Sequence, residues 1–339
     1  MNKNILVTGG AGYIGSHTIV DLIKAGFNPI IIDNLSNSTK SVISKLEELC
    51  QQKITFYNID CTNEQEMCNE KIWRNISGVI HFAAHKSVAE SVKKPEKYFF
   101  NNVGSTEIIL KNMQRYKVEN LVFSSSCTVY GNPDILPVTE KSEIKKPTSP
   151  YALTKQKCEE IIQSSHLKNY AILRYFNPIG AHKSSLIGEI NIKNPNNLVP
   201  LIAKSIKEKK TLHVFGNDYN THDGTCIRDY IHVCDVAKSH VKVLEKLIPH
   251  NRKKYILNIG LSKGFSVLEL IQSFEKVNNL NIDYKIGKRR DGDVEKIYAD
   301  CKLAEKELGW SPQKTIEEAL IDAWNWEKKF NLYTSSDLL

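Results

Sequence analysis

The first fifteen residues constrain the fold more than any other stretch. Residues 4–8, Asn-Ile-Leu-Val-Thr, form a short apolar run that stops at Gly9, and Gly9, Gly12 and Gly15 then follow in the spacing G-x-x-G-x-x-G. A chain passing from a buried strand straight into a helix needs such glycines to turn sharply, to let a pyrophosphate approach the backbone and to offer it helix N–H groups. Taken alone, the triplet reads equally well as a structural loop. Asp33 supplies a context, because it ends a second apolar run, Ile30-Ile31-Ile32. A carboxylate there accepts hydrogen bonds from both hydroxyls of an adenosine ribose and repels a 2′-phosphate, so NAD rather than NADP is the expected dinucleotide.

The pattern recurs along the chain. Ile54-Thr55-Phe56-Tyr57, Val79-Ile80-His81-Phe82-Ala83-Ala84 and Leu121-Val122-Phe123-Ser124 are short buried-strand candidates separated by segments that suit helices. Such alternation predicts an α/β fold of Rossmann type, a doubly wound parallel sheet whose ligands sit at the carboxyl ends of strands. Beyond residue 178 the texture changes, with Asn194-Pro195-Asn196-Asn197 and a loop-like stretch from Gly216 to Thr225. We expect residues 1–178 to form the dinucleotide-binding domain. Residues 179–339 should form mainly a smaller α/β substrate domain, some of whose segments return to the first.

Composition narrows the classes. With 339 residues, 41% hydrophobic and 25% charged, the chain is ordinary for a globular protein, not a disordered or collagen-like one. The net charge of +8 comes from dispersed groups such as Lys207-Glu208-Lys209-Lys210 and Lys288-Arg289-Arg290, without a recognition helix or aromatic-rich single-strand motif. An anionic small substrate accounts for the bias, and no nucleic-acid partner is expected. No apolar stretch reaches the length of a membrane span or signal-peptide core, so a cytoplasmic protein is expected. The eight cysteines lack paired zinc-binding spacing and read as free thiols.

Catalytic candidates emerge at Tyr151 and Lys155, a Y-x-x-x-K spacing that puts both side chains on one helix face. Fourteen tyrosines make chance matches expected, and Tyr284/Lys288 and Tyr298/Lys302 share the spacing within or beside strand-like sequence. Tyr151 differs in its setting. Ser149 and Pro150 are helix-cap and first-turn residues, and Ser124-Ser125-Ser126 end the preceding buried run. A free phenol has a pKa near 10, so ionising it at neutral pH costs about 4 kcal/mol. Lys155 and a cationic nicotinamide would lower that cost, leaving Tyr151 as base, Ser126 bonded to the same substrate oxygen and Lys155 also orienting the nicotinamide ribose.

At this point the sequence resembles the UDP-glucose 4-epimerases, isomerases of the extended short-chain dehydrogenase/reductase family. The resemblance is carried by Val7–His17 (VTGGAGYIGSH), Asp33–Ser38 (DNLSNS), Ser124–Gly131 (SSSCTVYG), Arg174–His182 (RYFNPIGAH) and Arg228–Val233 (RDYIHV), and extends to about residue 327. It implies that Gly9, Gly12, Tyr13, Ile14, Gly15, Asp33, Asn34, Asn37, Ser38, Asp60, Cys61, Phe82, Ala83, Ala84, Lys86, Asn101, Tyr151, Lys155 and Phe176 contact NAD. By the same resemblance, Lys86, Ser126, Tyr151, Asn177, Asn196, Asn197, Leu198, Phe215, Arg228, Arg290 and Asp293 hold a UDP-hexose. The two arginines make physical sense, since guanidinium forks match phosphate oxygens. The implied reaction removes the proton of the sugar 4-hydroxyl and the C4 hydride, then returns hydride to the other face of a 4-keto sugar. A homodimer is implied by resemblance only.

The sequence also departs from the family. Cys61 replaces the aliphatic residue usual after Asp60, and Ala84-His85-Lys86 differs from the commoner glycine-containing version. The spacing of His81 and His85 could suggest a metal pair, but nothing supplies further ligands, and no metal is expected. At position 297 the resemblance implies that a large aromatic excludes an N-acetyl group and a small residue admits it. Ile297 is neither; glucose and galactose are the expected sugars, and N-acetylhexosamines stay open. Two rival readings remain. A sugar-nucleotide dehydratase or decarboxylase of the same superfamily is one, although the resembling dehydratases carry an Asp-Glu pair where Cys127 and Thr128 stand. The other is a non-enzymatic NAD sensor, a class that commonly lacks the tyrosine.

Overall fold

The apolar runs are apolar at every position because both faces of the strands they form are covered. In the computed structural model, which describes residues 3–190, 195, 197–290 and 293–330, the strands are β1 (Asn4–Thr8), β2 (Asn28–Ile32), β3 (Thr55–Tyr57), β4 (Ile76–His81), β5 (Asn120–Ser126), β6 (Asn169–Tyr175), β7 (Asn177–Ile179), β8 (Leu212–Phe215), β9 (Ile227–His232), β10 (Lys254–Ile259), β11 (Gly264–Ser266), β12 (Tyr284–Gly287) and β13 (Lys296–Ile297). Alternate residues point to opposite faces. Ile5, Val7, Ile31, Ile80 and Val122 join one buried cluster, and Leu6, Ile30, Ile32, Val79, Leu121 and Phe123 join another.

Seven strands pair in the order β10-β6-β5-β4-β1-β2-β3, every pairing parallel. The first face is covered by the helices Tyr13–Lys24 and Val233–Leu247 through Ile19, Leu22, Val236 and Leu244. Helices Gly104–Arg115 and Pro150–Ser164 cover the other through Ile109, Met113, Cys158 and Ile162. Strand order reverses between β1 and β4, so a crevice opens at their carboxyl ends, where Gly9 and Phe82 begin.

The second half of the chain is shared between two places. Val233–Leu247 and β10 return to the seven-stranded sheet, whereas β7, β9, β11 and β13 form a small mixed sheet and β12 pairs with β8. A third apolar cluster, including Ile202, Val214, Ile271, Phe274 and Leu320, holds this smaller part together. One boundary needs shifting from its sequence reading: the run Val79–Ala84 stops being a strand at His81, because Phe82 and Ala83 bend away over the first glycine loop.

No helix among the described residues is long and apolar enough to cross a membrane. All eight cysteines are free thiols.

Buried imidazoles give the fold an acid limit. Burial depresses His17 and His81 to about 3 and His240 to about 4, from an ordinary value of 6.5. Below that ordinary value the unfolded chain binds more protons than the folded one, so stability is full above about pH 6.5 and falls as pH drops towards the folded values. Asp229, raised by burial to about 6, opposes this, as do Asp21, Asp33 and Glu140, which burial also raises; their contribution is lost as pH rises. The imidazoles, joined by His182 at about 4, are displaced further than the carboxyls and outweigh them, so the thermal denaturation midpoint is expected to fall between pH 6.5 and 4.5; a level or rising midpoint would contradict this account.

Candidate active site

The glycine loop is built for close approach. Gly9 has a φ of +69°, and a Cβ on it would lie 2.8 Å from the Ala83 nitrogen, while a Cβ on Gly15 would collide with the Gly9 carbonyl oxygen. Gly12 caps the helix Tyr13–Lys24 without a side-chain hydrogen bond, and no acid lies in its first turn. Its leading amides and positive dipole end are therefore suited to an external anion, which tests well against a dinucleotide pyrophosphate.

Asp33 stands just past β2. It accepts from the Ala11 and Leu35 amides at 3.1 and 2.9 Å, and the Ser38 hydroxyl donates to the Ala11 carbonyl at 2.6 Å. The turn carrying Asp33, Asn34, Asn37 and Ser38 is thereby tied to the glycine loop. Asn34 donates to Asp60 at 2.8 Å, bringing the ends of β2 and β3 together. Burial raises Asp60, but hydrogen bonds from Thr62 and Asn34 outweigh it and hold the carboxyl below its ordinary range. The neighbouring Cys61 is buried, and its thiol is pushed well above its ordinary value. Phe82 and Ala83 are held by Thr8, whose carbonyl and hydroxyl accept their amides at 3.0 and 3.4 Å.

The proton-transfer candidates meet where β5 ends. Ser149 accepts from the Ala152 amide at 3.2 Å and Pro150 occupies the first turn, so the helix Pro150–Ser164 starts with Tyr151 facing the strand. Tyr151 and Lys155 are both buried, and Lys155 Nζ donates to the Ser124 carbonyl at 2.6 Å. Nζ also lies 4.8 Å from the Phe123 ring centre and 6.0 Å from that of Tyr151. Burial raises the Tyr151 phenol to about 12 against a hydrogen bond with Ser126, and it lowers Lys155 to about 8. Lys155 is thus charged at neutral pH. Tyr151 is not, and making it a base near pH 7 requires about 7 kcal/mol of added stabilisation for the phenolate. The influence of Ser126 is already contained in that value, so the remainder falls to the Lys155 ammonium and to a second positive charge beside the ring.

Behind this pair lies a polar network that the sequence reading missed. Arg174 on β6 forms two hydrogen bonds to Glu159, at 3.0 and 2.6 Å, and one to the Tyr130 hydroxyl at 3.0 Å. Tyr130 donates to Asn258 on β10 at 2.6 Å, and Ser125 donates to Glu159. Only spacing could have flagged Glu159, which lies one helical turn beyond Lys155.

The candidate substrate residues form two groups. Lys86 pairs with Glu189 at 2.6 Å, and Asn197, the cap of helix Leu198–Glu208, donates to the same carboxylate oxygen at 3.1 Å. Glu189 is a second missed residue, with no periodic signal around it. In the other group Asp293 stands between two arginines, 3.0 Å from Arg290 and 4.0 Å from Arg228, and the Arg290 guanidinium lies 5.6 Å from the Phe215 ring centre. The charge of Arg228 bears on buried Cys127, the residue after Ser126. Phe176 is buried, Asn177 opens β7, Leu198 opens its helix, and Asn101 donates to Asn102 at 3.0 Å. Tyr13 turns its hydroxyl to the Gly180 carbonyl at 2.6 Å, leaving only its backbone and ring edge for a ligand. Asn196 lies outside the described residues. No grouping of three or more metal-ligating side chains occurs among the described residues.

Residues 5–260 match the NAD dependent epimerase/dehydratase family. The chain belongs to that family. Among relatives, the UDP-glucose 4-epimerase of Haemophilus influenzae is 44% identical over 96% of this chain and 97% of its own length. A UDP-glucose 4-epimerase structure from Stenotrophomonas maltophila, with bound NAD and formylated UDP-arabinopyranose, superposes with a TM-score of 0.94 at 42% identity, covering 98% of this chain and all of the other. The Bifidobacterium longum UDP-glucose 4-epimerase, in complex with NAD+ and UDP, gives 0.92 at 42% identity over 96% and 98% of the two chains. For a member of the NAD dependent epimerase/dehydratase family, the uncapped helix end and the Gly9 approach are the features a dinucleotide needs. Replacing Gly15 by alanine is expected to push the loop off Gly9 and strip retained NAD from the purified protein. Cofactor content measured after denaturation checks this; an alanine variant that keeps a full complement of NAD would contradict it.

Proposed function

We propose that this protein is an isomerase that interconverts UDP-galactose and UDP-glucose through transient oxidation at sugar C4. The observation that carries the reading is the convergence of Tyr151, Lys155 and Ser126 at the end of β5, one strand from the β1–β4 crevice and its glycine loop. The names of the relatives agree with it.

In this reading Ser126 and Tyr151 both bond the sugar 4-hydroxyl, and Tyr151 takes its proton. Lys155 keeps its charge beneath the phenol and holds it against β5. NAD, when bound against the glycine loop, Asp33 and Lys155, would supply an acceptor and later a donor for the C4 hydride and a positive charge beside the ring. Tyr151 gives its proton back as the 4-keto sugar is reduced, so no net redox change results. Arg228 and Arg290 take the diphosphate, which offers them better partners than Asp293 alone. Lys86 and Asn197 face both ligands from either side of Glu189.

Cys127 and Thr128 argue against elimination chemistry. Burial pushes the Cys127 thiol up to about 12, and the Thr128 hydroxyl is spent on Ser126 at 3.1 Å, so no acid and base pair follows the catalytic serine. We further propose a cytoplasmic homodimer. Exposed Val92, on the helix Val88–Lys93, and exposed Phe100, in the helical segment Phe99–Val103, support a self-contact of the dinucleotide half. Residues 1–178 with Val233–Ile259 are proposed to hold NAD, and the rest of the second half mainly the UDP-sugar.

Purified protein given UDP-galactose without added NAD should form UDP-glucose, followed through a coupled dehydrogenase. Tyr151→Phe is expected to lower the rate by about 10²–10⁴-fold, the usual worth of a positioned acid-base group; a variant as fast as the parent would remove Tyr151 from the mechanism. Ile297 is buried and paired in register with Arg228, and its side chain is larger than the small residue that the resemblance links to N-acetyl sugars. UDP-N-acetylglucosamine should therefore turn over far more slowly than UDP-galactose, and comparable rates would overturn that preference.

A further inference from the structure

Three residues at successive turns of one helix face grip three successive residues of one strand. Tyr151 stands against Ser126, whose side chain draws its phenol down, Lys155 donates to the Ser124 carbonyl, and Glu159 accepts from the Ser125 hydroxyl. The first two rungs hold the reacting groups. The third is wholly buried: Ser125 is 1%, Glu159 4% and Arg174 3% exposed. Glu159 cannot slide, because Arg174 engages both of its oxygens, and Arg174 is itself fixed by β6 and by Tyr130, which Asn258 holds from β10.

We infer that Ser125 and Glu159 are positioning residues for the reaction, setting the height of the helix Pro150–Ser164 on β5 so that Tyr151 meets Ser126 and Lys155 meets the Ser124 carbonyl. The inference rests on the reading of Tyr151 and Lys155 as the proton-transfer pair. A slide of this helix by a fraction of a turn would separate Tyr151 from Ser126 while leaving the glycine loop and the arginine group in place. The predicted signature is a loss in kcat with little change in KM.

Glu159 also acts on Lys155 through its charge. Lys155 is surrounded by Tyr151, Cys158 and Glu159 on its own helix, His81 on β4, and the Ser124 carbonyl and Phe123 ring on β5, while Tyr175 on β6 bears on Tyr151. Burial lowers Lys155 while Cys158 and Glu159 raise it. A neutral residue at 159 therefore lets Lys155 lose its proton at lower pH.

The test uses the full chain with its retained NAD, with Ser125→Ala and Glu159→Gln assayed on UDP-galactose across pH. Ser125→Ala should lower kcat by about ten- to a hundredfold, the effect of a small misplacement of reacting groups, with KM within about twofold of the parent and a near-native melting temperature. Glu159→Gln should lower kcat at least as far and move the alkaline limb of its pH profile to lower pH. Should Glu159→Gln fail to fold, Ser125→Ala decides alone, since it removes only one hydroxyl. An active parent together with a folded Ser125→Ala variant of unchanged kcat overturns the inference and leaves the proposed function intact; an inactive parent overturns the proposed function instead.

Discussion

Everything at the proposed reaction centre depends on a buried ammonium held by a strand carbonyl. Lys155 is charged, almost fully enclosed, and satisfied by the Ser124 carbonyl at 2.6 Å. A cation so placed is costly, and burial has already brought it down to about 8. Against that burial, Cys158 and Glu159 raise it, and it stays charged at neutral pH. The arrangement exchanges stability for a local field. Tyr151, which burial raises to about 12 against the influence of Ser126, has that ammonium 6.0 Å from its ring centre, one of the two positive charges its proposed role as a base calls for.

The surrounding fold is organised to keep that helix where it is. Glu159 and Arg174 form a buried pair with two hydrogen bonds, and removing one partner of such a pair typically costs about 3–5 kcal/mol because the other is left charged and unpaired. Tyr130 and Asn258 extend the pair to β10, the strand contributed by the second half of the chain. The return of Lys254–Ile259 to the sheet thus does more than cover an edge. It links the helix Pro150–Ser164 to the half of the molecule that carries Arg228 and Arg290. Asp229, next to Arg228, strengthens the same link by accepting from the Leu261, Ser262 and Ala299 amides.

The parallel sheet was legible in the sequence because its strands are buried on both faces, so apolar runs without alternation marked them directly. The glycine loop, Asp33, and the Tyr151, Lys155 and Ser126 set were equally readable, since each needs a particular residue at a fixed offset from such a run. Less legible were features that depend on distant chain segments. The end of β4 at His81 is decided by Thr8 drawing in Phe82 and Ala83, which no local pattern announces. Glu189 joins Lys86 to Asn197 across long sequence separations. Glu159 was hidden differently: its spacing from Lys155 is helical, but a lone glutamate on a helix usually faces solvent, and only Arg174 on a neighbouring strand makes it a buried anchor.

The most direct test of the central claim follows the hydrogen on C4. UDP-galactose carrying deuterium at that carbon is incubated with the purified protein in ordinary water, and the UDP-glucose formed is analysed for its isotope. Hydride held within one active site and returned to the other face predicts a product with the deuterium still on C4. Product in which C4 carries hydrogen from the solvent would contradict oxidation and return at this site, and with it the role assigned to Tyr151 and Lys155.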